Sequence, residues 1–195
     1  MIPRIETEFW VEKALKRLSF QKEAKPLKAL DIFAGSGCIG IAVLKNIKNS
    51  RVDFVDIDES AVKQIKINLK INKISPKRYK IYKSGLFSKL KNKKYHYIFA
   101  NPPYVATERI NEVQPSVLEK EPHAALFSGK KGLDAIKIFL RQAKKYLNEE
   151  GIIFMEFDPL QKEDIEKMSE KFGYKKYQFL KDQFKKYRFA KIQKI

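Results

Sequence analysis

The run Tyr97-Ile98-Phe99-Ala100 is apolar throughout and ends abruptly at Asn101-Pro102-Pro103-Tyr104. A short, continuous apolar run reads as a buried strand. Two successive prolines cannot extend it, because neither carries an N–H for a ladder bond. The chain must therefore hold a polar amide and a phenol on a stiff loop at the C-terminal edge of a sheet. In open α/β sheets that edge is where ligands bind.

The flanking segments support such a sheet. Leu27 to Phe33 reads as a strand that runs into Ala34-Gly35-Ser36-Gly37-Cys38 and then a helix from Ile39 to Ile47. Strand, small-residue turn and helix form the nucleotide-binding opening of a doubly wound fold. Gly35 and Gly37 allow a tight turn and close approach to a ligand. No Gly-Lys-Ser/Thr follows, which excludes a P-loop. A second strand, Val52 to Asp56, ends in an acid about 20 residues after the glycines, where a carboxylate meets the ribose hydroxyls of a bound adenosine. Asp58 is placed to cap a helix over Glu59 to Leu69. This pairing of turn and acid implies an adenosine-bearing cofactor, NAD or S-adenosylmethionine (SAM).

Further strands are expected at Tyr79–Tyr82, Ile152–Phe157, Tyr174–Leu180 and Tyr187–Ile192, and helices at about 132–147 and 160–172. Glu150-Gly151 reads as a turn. The alternation predicts one α/β domain over 1–195 with a mostly parallel sheet, its core at 27–195. Residues 5–20 have helical spacing at Phe9, Trp10, Ala14, Leu15 and Leu18, with Thr7 as a candidate cap and Pro3 to Glu8 as solvated charges. His96 and His123 read as structural.

Composition narrows the class. No apolar run approaches the roughly 20 residues of a membrane span, and the N-terminus has no signal-peptide core. Cys38 is the only cysteine, which excludes an internal disulfide and a Cys-based zinc site; no metal is expected. A cytoplasmic monomer is the expectation. The net charge of +18 suits a polyanionic partner such as RNA or the ribosome. Yet 34 Lys stand against 7 Arg, and Arg is the better residue for specific phosphate recognition, so compositional drift explains the excess equally well.

At the sheet edge, the Asn101 carbonyl and the Pro102 backbone carbonyl can accept both hydrogens of a planar –NH2 group, with Tyr104 against its face. Such a grip aims the nitrogen at a methyl sulfonium, and positioning supplies much of the rate of a two-substrate reaction. Polarising the N–H bonds as the C–N bond forms would stabilise the transition state. A glutamine or asparagine amide fits, and so does the exocyclic amine of a nucleobase.

Asn101-Pro102-Pro103-Tyr104 together with Asp31-Ile32-Phe33-Ala34-Gly35-Ser36-Gly37 resembles the SAM-dependent amino-methyltransferases. Pro3-Arg4-Ile5-Glu6-Thr7-Glu8 is similar to the Pro-Arg-x-Glu-Thr-Glu signature of the HemK/PrmC family, the N5-glutamine methyltransferases of peptide-chain release factors. Glu121-Pro122, Ala125-Leu126, Gly132-Leu133-Asp134 and Lys181-Asp182 with Arg188 match that family too. The resemblance implies a class I, Rossmann-like methyltransferase fold: a seven-stranded, mostly parallel sheet with an antiparallel last strand and helices on both faces. It implies SAM as cofactor, with Phe33, Ala34, Gly35, Ser36 and Gly37 around its methionine end, Asp56 on the ribose and Leu86 by the adenine. Asn101, Pro102, Pro103 and Tyr104 would hold the glutamine of a release-factor Gly-Gly-Gln tripeptide, Asn101 also facing the cofactor. Three departures stand out. Phe33 replaces a usual Gly, Gly85-Leu86 replaces an acid and a frequent Trp, and the family's N-terminal helical domain does not precede the signature. The alternatives are an RNA or DNA base amino-methyltransferase, or a non-catalytic RNA- or ribosome-binding protein on the same fold.

Overall fold

The computed structural model describes residues 4–18 and 26–194. Its frame is a seven-stranded sheet in the order β3-β2-β1-β4-β5-β7-β6. The strands are β1 (Leu27–Ile32), β2 (Ser50–Asp56), β3 (Tyr79–Lys83), β4 (Tyr95–Ala100), β5 (Leu147–Glu156), β6 (Lys176–Lys181) and β7 (Tyr187–Gln193). Strand β7 lies antiparallel between β5 and β6, and the other neighbouring pairs are parallel. The expected sheet, including its antiparallel last strand, is present.

The helices are α1 (Ile5–Leu18), α2 (Cys38–Asn46), α3 (Glu59–Ile71), α4 (Pro115–Lys120), α5 (His123–Leu126), α6 (Asp134–Ala143) and α7 (Lys162–Lys171). Alternation along the strands separates two cores. In β4, Tyr97 and Phe99 face Trp10, Leu44 and Ile65 of α1, α2 and α3. Ile98 and Ala100 face Phe139 of α6 and Ile165 of α7. Trp10 is wholly buried, with its ring stacked on Phe99 at 6.4 Å and on Phe189 at 5.9 Å. Burial of a large aromatic contributes about 1.5–3 kcal/mol, which binds α1 firmly to the sheet. Among the described residues, no helix is long and apolar enough to cross a membrane.

Some boundaries differ from the sequence expectation. Strand β5 starts at Leu147 and runs through Glu150-Gly151, where a turn was expected; the pairing register with β4 shifts there, and Glu150 takes φ 60°. Helix α6 is shorter than expected because its last turn tightens over Lys144–Tyr146. The segment between Asn-Pro-Pro-Tyr and α6 contains α4, which opens on Pro115 at its first position, and α5, which Pro122 precedes. Asp58 caps α3 as expected, its side chain accepting from Ser60 N.

The chain builds β1, β2 and β3 outward and then crosses back to β4. The strand order thus reverses between β1 and β4, and a crevice opens at their C-terminal ends. Ile32 pairs with both Val55 and Ala100, so Phe33, Asp56 and Asn101 emerge at one edge.

Candidate active site

The crevice holds a cavity of about 620 Å³, the size of a small-molecule site. Phe33, Asp56, Leu86, Asn101 and Pro103 line it, joined by Ile57, Asp58 and Ala124. Among the described residues of this wall are two carboxylates and no cation, in a chain of net charge +18. That donor set fits a ligand with hydroxyl donors and positive charge. It does not fit the pyrophosphate of a dinucleotide, which requires N–H groups or cations.

Ala34, Gly35, Ser36 and Gly37 lie behind the wall rather than in it. Gly35 N donates to Asp56 Oδ2 at 2.7 Å, and Ala34 N donates to the Val55 carbonyl at 3.1 Å. Asp58 N donates to Asp56 Oδ1 at 2.9 Å. Asp56 therefore ties the glycine turn to the start of α3, and each oxygen keeps a lone pair for a ligand hydroxyl. Beneath the turn lies Asp31, fully buried, with Oδ2 accepting from Gly40 N at 2.8 Å and Oδ1 without a partner among the described residues. Burial, reinforced by the charge of Asp56, pushes its pKa up to about 8.

Phe33 has φ 58°, the left-handed region that a non-glycine residue reaches only at a cost. Its ring meets Phe139 edge-on at 5.9 Å. Leu86, also in the cavity wall, has φ 49°. A Cβ built on neighbouring Gly85 would make ordinary contact with Ile57 at 3.8 Å, so a side chain fits there without strain.

A second, smaller cavity of about 30 Å³ opens on the other side of Asn101. Pro102, Tyr104, Arg4 and Glu121 line it, and Asn101, Pro103 and Ala125 are shared with the larger cavity. The Asn-Pro-Pro-Tyr loop is thus a partition between two cavities, with Asn101 in both.

What holds the partition was not anticipated. Glu156, at the end of β5, is only 1% exposed. Its Oε2 accepts the Thr7 hydroxyl at 2.6 Å and the Trp10 indole N–H at 2.7 Å, and its Oε1 accepts the Tyr104 hydroxyl at 2.9 Å. Burial, with Glu156 beside it, raises the Tyr104 pKa well above the usual phenol range. Thr7 is therefore not the helix cap that its position suggested. It lies within the first turns of α1, 3% exposed, and connects that helix to the site. Residues 4–8 are likewise more than solvated charges, since Arg4 lines the small cavity and Thr7 bonds Glu156; Pro3 lies outside the described residues.

The network also orients Asn101. Because the Thr7 hydroxyl hydrogen goes to Glu156, Thr7 Oγ1 can only accept from its other neighbour, Asn101 Nδ2, at 3.4 Å. The amide is fixed with its NH2 toward Thr7 and its oxygen turned away.

A second clasp comes from Gln161, whose Nε2 donates to the carbonyls of Tyr104 at 2.8 Å, Lys131 at 2.9 Å and Gly132 at 3.1 Å. Gly132 has φ 70°, and a Cβ there would lie 2.0 Å from the Tyr104 carbonyl oxygen, so no other residue fits. Glu156 and Gln161 were missed because each stands alone in the sequence, with no motif around it. The signal available was a lone acid in the apolar strand Ile152–Phe157, since a buried charge demands partners. The two histidines take structural places. His96 Nδ1 accepts from Lys28 N at 2.9 Å, and the His123 ring packs on Phe127 at 5.4 Å.

Comparison with known proteins identifies the family. The model of the methyltransferase small domain matches residues 14–129. The "release factor glutamine methyltransferase" of Thermodesulfovibrio yellowstonii is 34% identical over 93% of this chain, and that of Flavobacterium psychrophilum is 34% identical over 98%. This chain spans 64% and 67% of their respective lengths. Among solved structures, the ribosomal protein L11 methylase from Lactobacillus delbrueckii subsp. bulgaricus superposes with a TM-score of 0.67 at 19% identity, over 98% of this chain and 79% of that one. That likeness speaks for the fold alone. The Asn-Pro-Pro-Tyr partition, the acid that closes β2 and the α1 signature buried against Glu156 thus belong to a chain that is a member of the release factor glutamine methyltransferase family, on a methyltransferase small domain.

Proposed function

We propose that this chain transfers a methyl group from SAM to the side-chain amide nitrogen of a protein glutamine, that of the Gly-Gly-Gln tripeptide of peptide-chain release factors. The observation that carries the reading is the meeting of two cavities at Asn101, one of cofactor size and one of about 30 Å³. The small cavity suits the amide group at the end of a glutamine side chain.

In this reading Asp56 takes the ribose hydroxyls, Ile57 and Leu86 flank the adenine, and Phe33, at the head of the glycine turn, meets the methionine end. SAM when bound supplies an electrophilic methyl group on a cationic sulfur. Everything else is the work of the partition. Asn101 Oδ1 and the Pro102 carbonyl accept the two amide hydrogens, and Tyr104 and Pro103 wall the amide in. Thr7 and Glu156 keep the Asn101 oxygen, not its NH2, toward the substrate. An amide nitrogen is a weak nucleophile because its lone pair is delocalised. Acceptors placed before the reaction stabilise the positive charge that grows on nitrogen as the bond to carbon forms.

The test is incubation with methyl-labelled SAM and a release factor, either intact or with its Gly-Gly-Gln glutamine replaced by alanine. Label should enter only the intact factor. Label persisting after the replacement, or label on RNA alone, would overturn the proposal.

A further inference from the structure

The edge of the sheet opposite the active site carries a second cavity of comparable size, about 660 Å³. It lies at the N-terminal ends of β1 to β5. Lys28, Arg51 and Lys80 are the second residues of β1, β2 and β3, and Lys94 immediately precedes β4. Seven cationic side chains line it against a single carboxylate, Asp53. That carboxylate is already engaged. Its Oδ2 accepts from Lys93 Nζ at 2.6 Å and from the Tyr95 hydroxyl at 2.7 Å. Arg78 is likewise committed to the carbonyls of Leu44 and Ile47, at 2.8 and 2.7 Å. The side chains of Lys28, Arg51, Lys77 and Lys80 are exposed, and none has a hydrogen-bonding or ionic partner among the described residues. The half-buried ring of Tyr79 stands among them, and the amides of Asn92 and Asn148 complete the wall.

We propose that this trough binds single-stranded RNA. Unpaired cations gathered in a concavity follow a phosphate backbone, and an aromatic ring among them offers a face on which a base can stack. The amides supply neutral donors and acceptors for ribose hydroxyls and base edges. Strands of six or seven residues separate the trough from Asn101 by about 20 Å. RNA held here leaves the methyltransferase edge open, so the proposal is independent of the substrate assigned above.

The trough converts the diffuse charge of +18 into a located prediction. Binding of a short fluorescein-labelled single-stranded RNA is measured by anisotropy from about 50 to 200 mM salt. The wild type is compared with Arg51→Gln/Lys77→Gln/Lys80→Gln. A control, Lys63→Gln/Lys66→Gln/Lys167→Gln, removes the same charge from exposed positions outside the trough. The trough variant should bind about tenfold or more weakly, with its log–log salt slope reduced by about 2, three lost contacts at about 0.7 each. The control should retain the wild-type slope. The single variant Lys77→Gln carries the same comparison with about a third of the slope change. Equal loss in trough and control variants would show that net charge alone attracts RNA. Equal competition by polyglutamate would show that any polyanion serves. Either result overturns the proposal.

Discussion

Thr7 Oγ1 lies 2.6 Å from Glu156 Oε2, although 149 positions separate the two residues in the chain. This bond joins the N-terminal helix to the end of β5 and, through Asn101 Nδ2, to the loop where the two cavities meet. It makes the signature segment part of the site rather than an attachment to it.

Thr7→Val keeps the shape of the side chain and removes its oxygen. Asn101 then loses the acceptor that fixes its amide, and Glu156 keeps only the Trp10 and Tyr104 donors. The single-turnover methyl-transfer rate should fall about tenfold, equivalent to about 1.4 kcal/mol. Titration calorimetry with SAM should show unchanged affinity, because Thr7 does not line the larger cavity.

Glu156→Gln replaces an acceptor-only group with one whose NH2 confronts buried donors. A hydrogen bond to a charged group contributes about 1.5–3 kcal/mol, and at least one of the three is lost. Thermal unfolding should move down by roughly 4–10 °C for a domain of this size. Glu156→Ala, which also leaves the three donors unpaired, should unfold lower still.

Asn101→Ala removes the proposed acceptor for the substrate amide. Methyl transfer should drop to background while the protein melts within about 1 kcal/mol of wild type, because the Asn101 side chain makes only one long hydrogen bond among the described residues. A filter assay with labelled SAM, run beside thermal melting, checks both.

Asp31 gives stability a definite pH dependence. Burial pushes its folded pKa up to about 8, far above the usual aspartate range, so the folded chain holds a proton there that the unfolded chain releases. This contribution is complete below pH 4 and is lost as pH rises toward 8. Urea unfolding between pH 5 and 8.5 should show the wild type losing stability relative to Asp31→Asn, whose neutral amide does not titrate. The difference should level off above pH 8.

Phe33 allows the backbone and side-chain costs to be separated. Phe33→Ala keeps the Cβ at φ 58° and loses the ring against Phe139, whereas Phe33→Gly loses the ring and relieves the backbone. The glycine variant should therefore be the more stable of the two by about 1–2 kcal/mol, the reverse of the order in a regular strand. Denaturant titration of both variants measures this.

Local chemistry was enough to read the sheet and one half of the site from the chain. Continuous apolar runs, prolines that forbid extension and a glycine turn followed by an acid are short-range signals, each decided within a few residues. They placed Phe33, Asp56 and Asn101 at one edge, the family resemblance added Leu86, and the cavity wall contains all four. What α1 does was not legible, because its signature residues look like a helix start until Glu156 is seen beside them. The 620 Å³ cavity, with two carboxylates and no cation among its described lining residues, is equally a product of packing in a chain of net charge +18.

By itself the sequence determined the alternation of elements and the type of group presented at the strand ends, because periodicity and backbone restrictions act locally. Only the tertiary structure decided which way the Asn101 amide points and why Thr7, Trp10 and Tyr104 are needed together. A buried carboxylate must collect its hydrogen bonds from whatever folding brings near, and here the donors come from positions 52, 146 and 149 residues away.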